Sequence, residues 1–114
     1  AEEALRESEQ RFRGLAESVP LIVWSSTDAN VDYFNSRWFA YTGRDPLDAP
    51  DAWAEVIHPD DRAAAVARSE EAARTGADYE IGYRLRRRDG AYRWHIARAS
   101  RVPALGRWFG TATD

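Results

Sequence analysis

The amino-acid sequence predicts an α+β domain in which helices lie on one face of a five-stranded antiparallel sheet. After a first helical segment, two short apolar runs precede further segments with helical spacing, and three longer runs follow them. Asp89-Gly90 joins two alternating aromatic runs and is the strongest short-range signal for a β-hairpin. With 114 residues, 44% of them hydrophobic, the chain is long enough for one small core.

Composition argues against several classes of function. The absence of cysteine removes thiol nucleophiles, disulfides and thiolate metal sites. A net charge of −3 argues against a nucleic-acid partner. The segment from Arg84 to Arg107 contains eight arginines and a single acid, Asp89. We interpret these arginines as alternating along exposed strands.

No apolar run approaches the roughly 20 residues that span a bilayer, and no signal peptide is visible. We therefore expect a cytoplasmic fragment without direct membrane contact, whose parent protein can still be membrane-anchored elsewhere. Methionine is absent even at position 1, so we expect a piece of a longer protein.

Residues 1–19 are expected to form an amphipathic, coiled-coil-like helix that precedes the main domain, residues 20–114. Its apolar residues follow heptad spacing, at Leu5, Phe12, Leu15 and Val19. Pro20 ends the helix because the residue before a proline is pushed to extended geometry. Such a stripe packs either on its own domain or on a second copy, and the sequence leaves both open.

The first two strands and a short helix follow. Residues 21–26 form an apolar run suited to a buried strand, and residues 31–34 form its return strand after a turn at 27–30. Asn35 or Ser36 is expected to cap a short helix, which Gly43 ends.

Residues 44–57 are expected to be irregular, since Pro46 and Pro50 interrupt them. A longer helix begins at His58-Pro59-Asp60-Asp61, where proline and acids favour a helix start, and it stops at Gly76. His58 is interpreted as structural, and the two acids as helix-capping residues. Three strands complete the chain, near 78–87, 92–102 and 106–113.

In their order and spacing these marks resemble a PAS domain, specifically the PAC-containing, type 3 PAS fold of bacterial sensor proteins. The resemblance covers roughly residues 10 to 114. The matching positions are Asn35, Tyr41-Thr42-Gly43, Trp53, His58-Pro59-Asp60-Asp61, Tyr83-Arg84-Leu85, Asp89-Gly90, Trp94, Gly110 and Asp114.

This resemblance implies a sensory or dimerisation module of a signal-transduction protein, most often a sensor histidine kinase, that relays ligand or partner state through its flanking helices. The fragment itself would be non-catalytic. A homodimer would form through Leu5, Phe12 and Leu15 together with the outer sheet face. The alternatives are a module of a diguanylate cyclase or other regulator, a ligand-free structural dimerisation module, and a small hydrolase or isomerase.

In the family, a cavity lies between the sheet and the small helices. The resemblance implies a lining of Val23, Phe34, Trp38, Thr42, Tyr83, His95, Trp108 and Ala112. An occupied cavity and one filled by aromatic side chains both remain open, and no cofactor is named. Haem-binding members of the family carry the axial histidine on the long helix, and residues 60–75 contain no histidine, so haem is disfavoured. A cysteinyl-flavin adduct is disfavoured because it requires a cysteine. No metal site or catalytic residue is expected.

Two departures from the family pattern stand out. Gly82 occupies a position that often carries an acid, which leaves Arg84 without a neighbouring partner. The connection at residues 101–107 is several residues short, so it is either trimmed or lacks an omitted loop, and we favour omission.

The turn at Asp89-Gly90 decides which side chains face the helices. A two-residue turn would pair Leu85 with Trp94 and turn Trp94 inward. A bulged turn slips the register by one, so that Leu85 faces His95 and His95 points inward. We favour the bulged turn.

Overall fold

The computed structural model describes residues 2–46 and 50–114; the side chains of Glu2, Leu5, Pro50 and Asp51 lie outside the described part. The elements are α1 (Glu2–Ser18), β1 (Ile22–Ser26), β2 (Val31–Phe34), α2 (Ser36–Thr42), a 3₁₀ helix (Pro50–Val56), α3 (Pro59–Thr75), β3 (Tyr79–Arg86), β4 (Tyr92–Val102), a short 3₁₀ turn (Pro103–Leu105) and β5 (Arg107–Thr113). The five strands form one antiparallel sheet in the order β2-β1-β5-β4-β3. The predicted α+β architecture is confirmed. Within the described ranges, no helix has the length and apolar character needed to cross a membrane.

Three of the marks that carry the resemblance lie together at one end of the sheet: Tyr41-Thr42-Gly43, His58-Pro59-Asp60-Asp61 and the Asp89-Gly90 hairpin. The Arg88 amide donates to the Tyr41 carbonyl oxygen at 2.7 Å, which joins the hairpin loop to the end of α2. The His58 amide donates to the Arg84 carbonyl oxygen at 2.9 Å, which joins the start of α3 to β3. His58 also caps α3, because its Nδ1 accepts the Asp60 amide at 3.1 Å. These marks therefore hold the ends of the elements together.

The hairpin loop has three residues, 88–90. The Gly90 amide donates to the Arg87 carbonyl at 2.9 Å, and Gly90 has φ +91°. Tyr83 consequently pairs with His95, and Leu85 pairs with Arg93. His95 faces inward as expected, but the expected pairing of Leu85 with His95 is wrong. Relative to a two-residue turn, the pairing register is shifted by one residue in the direction opposite to the expected one. A shift of one residue in either direction places His95 on the same face of the sheet.

Replacement of Gly90 by valine is expected to cost about 1–3 kcal/mol, because a β-branched residue is strained at positive φ. A Cβ at Gly90 would meet nothing within 4 Å, so backbone strain is the only cost there. Gly82→Val is the matched control, since its Cβ would meet only the His95 carbonyl oxygen at 3.8 Å. Thermal unfolding compares the two. Equal losses in both variants would contradict the turn assignment.

Arg84 has a partner after all, in another element. Its Nε and a terminal nitrogen donate to the two carboxylate oxygens of Asp61 at 2.8 and 2.9 Å, and its amide donates to the same carboxylate at 2.9 Å. The expectation that Arg84 lacks a neighbouring partner overlooked this contact, which spans 23 positions of the chain. His58 is the observed cap of α3, and Asp61 instead fastens α3 to β3.

The pairing gives the domain a pH dependence of known sign. Hydrogen bonds from Arg84 lower the pKa of Asp61 from 3.8 to about 2. Because the folded-state pKa is lowered, the stabilisation is complete above pH 4 and is lost as the pH falls toward 2. Urea unfolding of wild type and Asp61→Asn should differ at pH 6 and converge near pH 2. A difference that persists at pH 2 would contradict this origin.

The basic segment of β3 to β5 is neutralised by acids from several parts of the chain. The pairs are Arg87–Asp89, Arg93–Asp114, Arg98–Glu80, Arg101–Asp28 and Arg107–Asp32. These arginines thus act mainly as surface ion-pair partners, as the alternating pattern indicates.

Helix α1 lies on the opposite face of the sheet from α2 and α3. Phe12 packs edge-on against Tyr33 and Phe109, with ring centroids 5.5 and 4.9 Å apart. Trp94 and Ile96 stay 60% and 41% exposed, so the helix leaves this part of the outer face uncovered. Packing of Phe12 draws α1 over β2 and β5 instead.

The connection after β4 closes without further residues. Val102 pairs with Arg107, and the Gly106 amide donates to the Pro103 carbonyl oxygen at 3.1 Å. The short connection is therefore compatible with a trimmed hairpin, and the structure gives no support to an omitted loop.

Candidate functional site

A cavity of about 80 Å³ lies between the inner face of the sheet and the helices α2 and α3. It is about half the size of an apolar cavity of about 150 Å³ that binds benzene. Seven aromatic side chains line it: Trp24, Phe34, Trp38, Trp53, Tyr79, Tyr83 and Trp108. Small residues of α3 complete the helix side: Ala65, Ser69 and Ala73.

The large indole of Trp24 reaches the cavity wall because its cross-strand partner, Gly110, has no side chain. A Cβ at Gly110 would lie 2.3 Å from two ring atoms of Trp24 and 2.9 Å from the Arg98 carbonyl oxygen. The glycine is therefore required for close approach, whatever its backbone angles.

Two further aromatic contacts shape the lining of the cavity. Phe34 and Trp38 stack with ring centroids 4.0 Å apart and an angle of 8° between their planes. Trp108 meets Tyr79 edge-on at 5.8 Å. Burial raises the pKa of both Tyr79 and Tyr83, so their phenols stay neutral across the physiological range.

Polar groups gather at one end, where the exposed β1–β2 turn lets the cavity open to solvent. Asp28 in this turn accepts the indole Nε1–H of Trp108 at 2.8 Å. Arg101 donates to both carboxylate oxygens of Asp28 at 3.2 Å. These hydrogen bonds hold the pKa of Asp28 below its usual value, and the hydrogen bond from Arg101 contributes most.

The eight residues predicted to line the cavity divide into two groups. Five of them lie in its wall: Phe34, Trp38, Tyr83, Trp108 and Ala112. Val23, Thr42 and His95 are not among the residues lining this cavity. The assignment of Val23 was wrong by one position, because Val23 pairs with Thr111 and faces α1, while Ile22 and Trp24 face the cavity.

Thr42 and His95 serve the fold at the other end of the domain. The Thr42 hydroxyl donates to the Trp38 carbonyl oxygen at 2.8 Å. His95 is buried, its Nδ1 lies 3.1 Å from the Arg93 carbonyl oxygen, and its ring meets Tyr41 edge-on at 5.1 Å. A carbonyl only accepts, so Nδ1 carries the proton in this contact. His95 is thus a core histidine satisfied by the backbone.

A buried asparagine joins α1 to the wall of the cavity. The Asn35 side chain is fully buried; its Nδ2 donates to the carbonyl oxygens of Ala16 and Leu21, both at 2.8 Å. Its Oδ1 accepts the Val23 amide at 3.1 Å. Phe34 precedes Asn35 directly, so the end of α1 is hydrogen-bonded to the residue next to the cavity.

Glu17 adds a second connection beside the first. Its carboxylate accepts the Ser36 amide at 3.0 and 3.1 Å, and thereby caps the first turn of α2. It also accepts the Tyr33 hydroxyl at 2.9 Å. The contact with Ser36 lowers the pKa of Glu17, whereas burial and Glu17 raise the pKa of Tyr33 to about 12. Both groups therefore keep the protonation state that this hydrogen bond needs.

Sequence reasoning missed several lining residues, among them Trp24, Trp53, Asp28 and Tyr79. Tyr79 and Ile81 were recoverable, because they alternate with Tyr83 along β3. Asp28 had no local signal, since its partners Arg101 and Trp108 are more than 70 positions away.

Comparisons with known proteins agree with this architecture. A family model described as the PAS fold matches residues 31–107. The uncharacterized protein y4lL of Sinorhizobium fredii is 35% identical over 96 residues, which cover 82% of this chain. The peroxide stress-activated histidine kinase mak3 of Schizosaccharomyces pombe is 24% identical over 99 residues, or 84% of this chain. The chain spans only 12% and 4% of the lengths of these two relatives.

Two solved structures share the fold. The N-terminal domain of a diguanylate cyclase with a PAS/PAC sensor from Marinobacter aquaeolei is 25% identical, with a TM-score of 0.69, over 82% of this chain and 93% of that one. The PAS domain of the Cronobacter turicensis quorum-sensing receptor RpfR, solved in complex with C12:0, is 19% identical, with a TM-score of 0.71, over 85% of this chain and 95% of that one. Since the family model matches more than half of the residues, and since the sheet and helices follow the same plan, this chain belongs to the PAS fold family.

Proposed function

We propose that this chain is the sensory PAS domain of a bacterial signal-transduction protein, and that this parent is a sensor histidine kinase. In this proposal the binding of a ligand in the cavity is the signal. Its similarity to a histidine kinase and to the sensor domain of a diguanylate cyclase supports this role. A diguanylate cyclase or another regulator is the alternative parent. The domain itself is non-catalytic in this proposal, and the kinase or cyclase chemistry belongs to other parts of the parent protein. The expected cytoplasmic location stays a prediction.

The observation that carries the relay is the hydrogen-bonded path from the cavity to α1. Phe34 and Trp38 form one wall, and Asn35 and Ser36 lie between them in the chain. Asn35 binds the Ala16 carbonyl, and Ser36 binds Glu17. A ligand that displaces the stacked rings would therefore shift the end of α1 as well.

Dimerisation is the second component of the proposal. Leu15 is 68% exposed although it belongs to the heptad stripe, whereas Phe12 is used within the domain. The outer face also presents Trp94 and Ile96. We propose a homodimer in which Leu15 and this part of the outer face meet a second copy; the side chain of Leu5 lies outside the described residues.

Leu15→Glu is expected to dissociate the homodimer, because it places a charge in an apolar contact. Sedimentation should show the monomer mass for this variant and the dimer mass for wild type. Gln10→Glu is the control, since Gln10 is an exposed residue on a different side of the same helix and receives the same charge. An unaltered mass for Leu15→Glu would contradict the helix interface.

A ligand-free structural module is the second candidate function, and the dense aromatic lining favours it. Seven aromatic side chains leave only about 80 Å³ between them. Native mass spectrometry of the purified chain separates the two candidates. A retained small molecule supports sensing, whereas an unliganded mass together with no response to added compounds supports the structural module.

A further inference from the structure

The cavity carries a specific electrostatic signature. Among the described residues that line it, Asp28 is the sole charged side chain, and neither arginine nor histidine contributes to the wall. A carboxylate ligand would therefore enter without a cation to pair with, at the cost of its hydration. The RpfR domain was solved in complex with C12:0, but a volume of about 80 Å³ and a wall without a cationic side chain do not suit such a molecule.

The aromatic wall favours the opposite charge. Ring faces carry negative potential, and among the aromatic side chains tryptophan attracts ammonium groups most strongly. Four of the five tryptophans of the chain line this cavity, together with two tyrosines. Burial keeps both phenols neutral, so they contribute no competing charge.

Asp28 adds a carboxylate at the open end. It is bound by Arg101, whose side chain is not part of the lining. A cation in the cavity would share this carboxylate with the guanidinium, so Arg101 acts as a competitor.

From this arrangement we propose that the cavity binds a compact organic cation, of the substituted-ammonium class, between its tryptophan rings and Asp28. The proposal rests on the sensory function above and names the class of its ligand. Tetramethylammonium is about as large as benzene, so a cavity of about 80 Å³ holds part of such a cation, and the rest lies in the open end beside Asp28.

Tetramethylammonium, tert-butanol and pivalate are suitable probes, because they share a compact branched shape and differ in charge. Tryptophan fluorescence reports occupancy, since Trp94 is the only tryptophan outside the lining. A Trp94→Phe background removes that exposed residue, and sodium chloride keeps the ionic strength constant. We expect saturable quenching by tetramethylammonium, weaker quenching by tert-butanol and none by pivalate.

Two substitutions test the role of the carboxylate. Asp28→Asn keeps an acceptor for the Trp108 indole but removes the charge, and should weaken tetramethylammonium binding about five- to tenfold. Arg101→Gln removes the competitor and should strengthen the same binding. Opposite changes in affinity in the two variants would identify Asp28 as a cation-binding group. Loss of the Asp28–Arg101 ion pair alone would change the affinity in the same direction in both variants.

The outcomes separate this proposal from the sensory function. If tert-butanol or pivalate binds as tightly as tetramethylammonium, the cation preference is wrong and a sensing cavity remains. If none of the three changes the fluorescence saturably, the cation proposal is overturned. If native mass spectrometry also finds no retained molecule, the sensory function fails with it.

Discussion

Gly110→Ala is expected to destabilise the domain by about 1–3 kcal/mol, because the added methyl group overpacks the sheet. Its Cβ would lie 2.3 Å from the Trp24 ring, which is itself buried in the cavity wall. The Arg98 carbonyl oxygen, 2.9 Å away, blocks a simple displacement of the new group. Urea unfolding measures the loss, and Gly110→Val should enlarge it.

Gly82→Ala in β3 provides the matched control. The same methyl group would meet only a carbonyl oxygen at 3.8 Å there, so its stability should stay near wild type. The expected difference between the two variants therefore isolates the contact with Trp24. Similar unfolding midpoints for both would show that Trp24 moves aside without cost. In that case the indole would have to shift, and the quenching by tetramethylammonium should change as well.

Asn35→Ala is expected to cost about 3 kcal/mol, because it leaves two buried backbone groups and one partly buried group without their hydrogen-bond partner. These groups are the carbonyls of Ala16 and Leu21 and the amide of Val23. Thermal and urea unfolding measure the loss. Asn30→Ala in the exposed β1–β2 turn is the control and should change little.

A double-mutant cycle with Glu17→Ala tests whether Asn35 acts by holding α1. Both side chains fasten the same end of this helix. Once either is removed and the helix end detaches, the second loss should be smaller than it is in wild type. Strictly additive losses would mean that Asn35 stabilises the strands alone, and the proposed relay from the cavity to α1 would lose its basis.

The helix ends and the hairpin could be predicted because their signals are local. Gly43 and Gly76 follow α2 and α3 directly, and His58 caps α3 through an atom two residues from its partner. Such signals act over a few residues and hold in almost any tertiary context. The inward direction of His95 could be predicted because a three-residue turn, unlike a two-residue turn, places it on that face. Its cross-strand partner could not be predicted in the same way.

The cavity lining was less predictable because apolar and polar residues do not alternate along β1. Residues of β1 are buried along its whole length, since α1 covers one face and the cavity lies on the other. Val23 and Trp24 are therefore equally apolar positions in the sequence, and only the pairing with β5 assigns their faces. The heptad stripe of α1 poses the same problem, because Phe12 packs inward while Leu15 remains exposed.

The sequence by itself determined the family, the order of the elements and most of their ends, because turns and caps depend on neighbouring residues. Tertiary structure alone decided which apolar residues line the cavity and which charge borders it. Asp28 meets Arg101 and Trp108 only after the first and last strands come together. The cavity and its bordering charge therefore depend on contacts between residues far apart in the chain.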